Sequence, residues 1–299
     1  MHFSKLRVFL ILISLGALIG CANGGNAPGV PALKYLFVVD QSANNQQNYL
    51  YASPSATPVP DPNGGTDPTG NRRYSILVSF LESIQNNSNT FYSALFFNTT
   101  PLVPFSNYTG GGASEDTSND SIWYTSGTKN TTAYLANQIT NIWCPSGSCG
   151  VPQGDGGFTD YHDTLIQIMN SITQDAAYQQ TLANSKQLPF ISAYVIYWVS
   201  SNFGVIGSGI QSTSQLLSDV QNIMSLKSQQ NAQYIYSITF NTGYYSTNSS
   251  SWGQSETQSL LSNMSSIGNG TFLNFGSSNN VNYSQFPMPS IFNFATPGG

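Results

Sequence analysis

Apolar positions follow two rhythms along the chain. The runs "LKYLFVV" (33–39), "FYSALFFN" (91–98), "FISAYVIYWVSS" (190–201), "AQYIYSITFN" (232–241) and "GTFLNF" (270–275) are short and rich in β-branched and aromatic residues. Such runs predict buried strands. Between them, apolar residues recur at helical spacing. Ile76, Leu77, Phe80, Leu81 and Ile84 predict a helix over 72–86, and "TTAYLANQITNIW" predicts a second one. Leu165, Ile166, Met169 and Ile172 mark a third, opened by the glycine loop "GDGG". Leu216, Leu217, Val220, Ile223 and Met224 mark a fourth; Leu260, Leu261, Met264 and Ile267 mark a fifth. Strands that alternate with helices predict a mostly parallel sheet covered on both faces. Right-handed crossovers then give an α/β, three-layer, doubly wound architecture. Ligands of such sheets bind beyond the carboxyl ends of the strands, where Asp40 falls.

The remaining stretches have no such rhythm. "ANGGNAPGVP" (22–31) reads as a flexible tether, and the five prolines of "SPSATPVPDPNGGTDPTG" (53–70) exclude regular structure there. Residues 99–129 read as loop, with short strands at Leu102-Val103 and Ile122-Trp123-Tyr124. The division that follows is a leader over 1–20, a tether over 21–32, one domain over 33–275 and a tail over 276–299.

The amino-terminal segment sets the compartment. Lys5 and Arg7 precede the apolar "LILISLGALIG", which ends at Cys21. A basic start, a short apolar run and small residues describe an export signal. The run is too short to span a bilayer. "LIGC" (18–21) resembles the bacterial lipobox, which implies cleavage before Cys21 and lipid on its sulfur; the alternative is an ordinary secretory signal with an incidental cysteine. Several acyl chains on Cys21 would anchor the protein durably, because each buried methylene contributes about 0.8 kcal/mol. Ala22 after that cysteine resembles an outer-membrane sorting signal.

Composition agrees with export. Loss of Lys5 and Arg7 leaves six of the 8 basic residues against 13 acidic ones, a net charge of −7. Only 7% of the 299 residues are charged, so polarity comes from Asn, Ser, Thr, Gln and Tyr. No basic patch is available to attract nucleic acid. Cys144 and Cys149 in "WCPSGSCG" flank a turn that can join their thiols, and an oxidising compartment favours a disulfide. A zinc site is disfavoured, since His162 is the only histidine beside those two thiols after the leader.

The first strand runs into Asp40-Gln41-Ser42-Ala43-Asn44. Taken alone, Asp-x-Ser after a strand closes a turn or caps a helix as readily as it holds an ion. Together with Thr159 in "GGFTD" and the order of elements, it resembles the von Willebrand factor A domain over residues 33–275. That resemblance implies a metal-ion-dependent adhesion site built from Asp40, Ser42, Asn44, Thr159 and the end of "YVIYWVSSN". Asn44 replaces a serine of the family pattern, and Ser200 stands where the family has an aspartate. Mg²⁺ or another divalent cation takes oxygen ligands and keeps several waters. An amide oxygen still serves, but one carboxylate fewer weakens the site. Asp155 and Asp160, near Thr159, are candidates to restore that charge. In the family an open coordination position accepts an acidic residue of a partner.

Catalysis is not expected. His162 and Asp163 are adjacent on a helix and do not face each other. There is no Gly-x-Ser-x-Gly elbow and no phosphate-binding Gly-x-x-x-x-Gly-Lys. Long loops at the carboxyl edge suit recognition, and Tyr244, Tyr245 and Trp252 beside one of them suit a partner hot spot if exposed. The sequence therefore reads as a lipid-anchored envelope or surface protein that binds a protein or glycan outside the cytoplasm. The rival reading is a structural component of an envelope or secretion assembly without metal-dependent binding.

Overall fold

A computed structural model describes residues 29–42, 45, 49–50, 59–60, 65–84, 89–98, 123, 132–144, 147, 149, 159–201, 205–206, 209–245, 253–276 and 281–289. Among the described residues five long strands and five α-helices alternate much as the periodicity predicts, beside two short antiparallel ladders, Tyr49–Leu50 with Val59–Pro60 and Val205–Ile206 with Gly209–Ile210. In chain order they are β1 (Val30–Asp40), α1 (Ile76–Ser83), β2 (Thr90–Phe97), α2 (Thr132–Trp143), α3 (Tyr161–Asn184), β3 (Phe190–Ser200), α4 (Thr213–Ser225), β4 (Ile235–Tyr245), α5 (Gln254–Ile267) and β5 (Phe272–Gly276). A π turn, Asn71–Ser75, leads into α1.

The five long strands form one sheet in the order β2-β1-β3-β4-β5, and every pairing within it is parallel. Two cores cover it. Along β1 the side chains alternate, as strand geometry requires. Leu36 and Val38 enter one core, with Leu165, Ile168 and Ile172 of α3, Val220 of α4 and Leu261 of α5. Tyr35, Phe37 and Val39 enter the other, with Leu77 and Leu81 of α1 and Leu135 and Ile139 of α2. The chain leaves β1 for β2 across the second face and leaves β3 for β4 and β5 across the first. A constant hand of crossover demands that reversal. The expected α/β, doubly wound, three-layer class is the one observed.

Three boundaries differ from expectation. β1 begins at Val30, inside the stretch assigned to the tether, and Ala32 is buried. The tail also packs. Val281, Tyr283 and Phe286 join the second core, and the Pro287 and Pro289 carbonyls accept from Tyr197 and Tyr35 at 3.0 and 3.1 Å. Trp123, expected in a short strand, is a buried turn residue whose indole donates to the Tyr35 carbonyl at 3.1 Å. The leader with Cys21, and the proposed strand at 102–103, lie outside the described residues. Cys144 and Cys149 are disulfide-bonded just past α2.

Candidate metal and binding site

The order β2-β1-β3-β4-β5 reverses direction between β1 and β3. In doubly wound sheets of this order the crevice at that reversal is where ligands bind. Asp40 ends β1 and Ser200 ends β3, so both stand at its mouth.

Local hydrogen bonding fixes Asp40. Past β1, the Gln41 amide continues the sheet by donating to the Phe97 carbonyl at 2.7 Å. The chain then folds back, and the Ser42 amide donates to Asp40 Oδ1 at 2.8 Å. Asn45 Nδ2 donates to the same oxygen at 3.1 Å and also reaches the Ser42 carbonyl at 3.2 Å. From β3, the Ser200 hydroxyl donates to Asp40 Oδ2 at 2.7 Å. A carboxylate has roughly four lone-pair positions. Two on Oδ1 and one on Oδ2 are used, which leaves one on Oδ2.

Thr159 arrives from the opposite side. The amide of the next residue, Asp160, donates to the Asn98 carbonyl at 2.9 Å, just past the Phe97 that pairs with Asp40. Tyr161 then packs edge-on against Phe97 and Trp198, with ring centroids 5.7 and 4.8 Å apart. Its hydroxyl hydrogen-bonds Ser200, and burial together with the nearby Asp40 carboxylate raises its pKa far above the ordinary phenol value.

The hydroxyls of Ser42 and Thr159 are buried and have no hydrogen-bond partner. Orphaned hydroxyls also occur within strands, at Thr90, Ser93 and Ser192. Ser42 and Thr159 differ in lying at the carboxyl edge of the sheet: Ser42 is two residues past Asp40, and Thr159 precedes Asp160, whose amide bonds the Asn98 carbonyl just past β2. Leaving a buried polar atom unpaired costs about 1–3 kcal/mol, which a ligand at that point would recover. The donor set, two hydroxyls and one carboxylate, is all oxygen and suits a hard cation. Among the described residues no group of three or more His, Cys, Asp or Glu side chains lies together.

The structure places the remaining sequence candidates as follows. Asn44, Trp252 and Asp155 lie outside the described residues. Asp160, the second acidic candidate, uses one carboxylate oxygen for the start of α3. Its Oδ1 caps α3 by accepting from the Asp163 amide at 3.0 Å and also accepts from Gln211 Nε2 at 2.7 Å. Tyr244 and Tyr245 are not exposed. Both belong to β4 and are buried in opposite cores. The reading of this pair as surface hot-spot residues is therefore corrected: the strand runs further than its apolar pattern indicated. Among the described residues the only exposed large apolar side chains are Leu188 and Met288.

Sequence reasoning missed the residue that organises the loop, Asn45. Its Oδ1 accepts from Tyr245 at 2.7 Å and from Thr66 at 3.1 Å, and Thr66 in turn contacts the Ser201 hydroxyl at 2.9 Å. A second support is the buried pair Arg73–Asp67, joined at 2.9 Å through Nε. Arg73 Nη1 also donates to the Asp40 carbonyl at 2.6 Å. Burial pushes the Asp67 carboxyl pKa up, and Arg73 pulls it back. The available signal was an arginine inside an amphipathic run, which calls for a partner when buried. Neither partner is near in sequence to Asp40.

No protein-family model matches the chain, and no curated protein matches it. Among solved structures it is similar to proximal thread matrix protein 1 from the mussel byssus, at 12% identity and a TM-score of 0.39. That match covers 83% of this chain and 42% of the mussel chain, so this chain spans less than half of that protein's length. BatB from Bacteroides thetaiotaomicron matches at 7% identity, over 83% of this chain and 92% of its own, with a TM-score of 0.41. The vWF domain of the type V pili tip protein Mfa5 from Porphyromonas gingivalis matches at 8% identity, over 83% and 90%, with a TM-score of 0.33. At these levels of similarity the fold rests on the sheet itself, and the site on its own geometry.

Proposed function

We propose that the protein is a von Willebrand A-like binding protein of the bacterial cell envelope, anchored by lipid on Cys21, that engages a protein or glycan partner through the crevice at Asp40. It acts by binding and not by catalysis. The observation that carries this reading is the pair of orphaned, buried hydroxyls, Ser42 and Thr159, at the same sheet edge as the half-open Asp40 carboxylate. In this reading Asp40, Ser42, Asn44 and Thr159 hold a divalent cation. Ser200 orients the carboxylate from behind. A bound cation would offer an open coordination position to an acidic oxygen of the partner. Asn45 and Arg73 keep the loop in place without occupying that position.

Titration of the purified protein with Mn²⁺, followed by the loss of its free-ion EPR signal, tests the proposal. One saturable site is expected, abolished by Asp40→Ala and weakened at least tenfold by Thr159→Ala. No bound Mn²⁺ in the folded wild-type protein would remove the cation from the reading.

One observation favours a second reading. Each oxygen of Asp40 already accepts a hydrogen bond from the protein, so the network can tie the loop without an ion. The protein would then be a docking component of an envelope assembly. Partner capture that EDTA leaves unchanged would select this alternative.

A further inference from the structure

At the opposite end of the sheet, β1 carries a lysine inside an apolar strand. Lys34 stands in register with Phe91 of β2 and Tyr194 of β3. Its Nζ lies 2.5 Å from Oδ2 of Asp175 on α3, and both side chains are 0% exposed. The rings of Phe91, Phe190 and Tyr194 surround Nζ, with centroids 5.7, 5.8 and 5.8 Å away. The Tyr194 hydroxyl donates to the same Oδ2, while Gln179 Nε2 donates to Oδ1 at 3.3 Å. Gln179 is itself held by the Phe190 amide, which donates to its Oε1 at 2.8 Å. The crevice chemistry uses none of these groups.

We propose that Lys34 and Asp175 condense to an intramolecular isopeptide bond, Nζ to Cγ, which fastens β1 to α3. An amine and a carboxyl group held together in a dry apolar cage meet the two needs of amide formation. Burial disfavours the charged forms, and it is the first cause that lowers the Lys34 pKa, against the pull of Asp175. Proton transfer within the pair gives a neutral amine and a neutral carboxylic acid. The Nζ lone pair then attacks Cγ, and the bond from Cγ to Oδ2 breaks. Tyr194, hydrogen-bonded to Oδ2, relays a proton from nitrogen to that leaving oxygen. The products are one secondary amide and one water. Three protons on the ammonium become one on the amide and two on the water, and nothing is oxidised or reduced. Oδ1 stays as the amide carbonyl, still accepting from Gln179. Fixed reactants in such geometry react at effective molarities on the order of 10⁵ M or more, and the dry cage offers no bulk water to reverse the step.

The bond would close a loop from the first strand to a helix on its face, so β1 could not be peeled from the sheet by tension at its amino end. That use rests on the lipid anchor proposed above; the bond itself does not.

The test is a peptide map of the full-length protein, reduced, denatured and digested. The expected result is a branched peptide joining the segments around Lys34 and Asp175, one water lighter than their sum, with both linear peptides depleted. Lys34→Arg keeps the charge and cannot form the amide under these conditions, so it should return the linear Asp175 peptide. Tyr194→Phe should lower the branched fraction several-fold. Wild-type protein that yields both linear peptides and no branched one overturns the proposal, whatever the variants do. Undiminished branching in Tyr194→Phe overturns the relay. None of these readouts depends on metal, lipid or partner.

Discussion

β1 carries a charge near each end, and the fold treats the two differently. At the amino end, Lys34 meets Asp175, and both carboxylate oxygens of Asp175 accept further hydrogen bonds from Tyr194 and Gln179. The cluster is sealed by rings and closed upon itself. At the carboxyl end, Asp40 is equally buried, and the unpartnered hydroxyls of Ser42 and Thr159 stand at the same edge of the sheet. Both ends carry the desolvation cost of a buried charge. Unpartnered hydroxyls occur at both ends, at Thr90 and Ser192 opposite Leu33 and Ala32, but only those of Ser42 and Thr159 lie toward the edge where sheets of this topology take ligands. The difference sets a fully tied cluster at the amino end against a carboxylate with an unused lone pair at the carboxyl end.

The largest effect should come from breaking the closed end. Asp175→Ala leaves Lys34 buried without its counter-charge, and loss of one member of a buried pair costs about 3–5 kcal/mol. Denaturant unfolding should read that loss as a lower midpoint. The double change Lys34→Met with Asp175→Leu sharpens the point. Apolar replacement of a simple buried ion pair is often neutral or stabilising, by about 1–4 kcal/mol. If the two side chains are covalently joined, the double variant must instead be less stable than wild type.

The contrast between the two ends also separates what the sequence reveals from what it hides. Strand and helix order is legible, because burial on both faces gives unbroken apolar runs and one-sided burial gives a helical period. The placement of Asp40, Ser42 and Thr159 toward one edge of the sheet is legible, because the first two follow the first strand and the third precedes a helix start. Asn45 is not, since its meaning comes from Tyr245, two hundred positions away in the chain. Arg73 and Asp67 are six apart, yet their role is set by contact with the Asp40 carbonyl. Tyr244 and Tyr245 mislead because aromatic residues beside a polar loop look exposed; the alternation that sends them into separate cores appears only once β4 is seen to end at Tyr245. Val281, Tyr283 and Phe286 have no period to betray them, and only the surface they cover explains them.

Within the open end, supports and ligands should part company. Asn45→Ala removes a donor to Asp40 and an acceptor for Tyr245 and Thr66. Each stranded buried group costs about 1–3 kcal/mol, so stability should fall with or without Mn²⁺. Thr159→Val replaces an already unpartnered hydroxyl with a methyl of similar shape. Without added metal its stability should stay within about 1 kcal/mol of wild type or rise, because an orphaned polar atom is removed. Thermal unfolding with and without Mn²⁺ checks both. Stabilisation by the ion should vanish in Asp40→Ala and shrink in Thr159→Val. Thr159→Val that is clearly less stable in the absence of metal would mean the hydroxyl has a structural partner, and the contrast between the two ends would weaken.

The smallest effect concerns pH, and it too belongs to the carboxyl edge. His162, in the first turn of α3, pairs through Nδ1 with Asp219 of α4 at 2.7 Å, while Gln215 holds the other oxygen of Asp219 at 2.9 Å. The hydrogen bond to Asp219 raises the His162 pKa above the ordinary 6.5, burial opposes it, and Asp163 and Asp160 add to the rise. A group whose pKa is higher when folded lends stability that is complete below its unfolded value and fades as pH climbs through the folded one. The window therefore opens near 6.5 and extends upward. The side chain is 41% exposed, so solvent screening holds the contribution to a few tenths of a kcal/mol, roughly that of an exposed pair. His162→Gln cannot titrate. Its stability deficit against wild type should be greatest just below the window and shrink above it, with other ionisable groups cancelling in the difference. A deficit that grows with rising pH would reverse the sign and show that the neutral imidazole, not the cation, is the form that Asp219 holds.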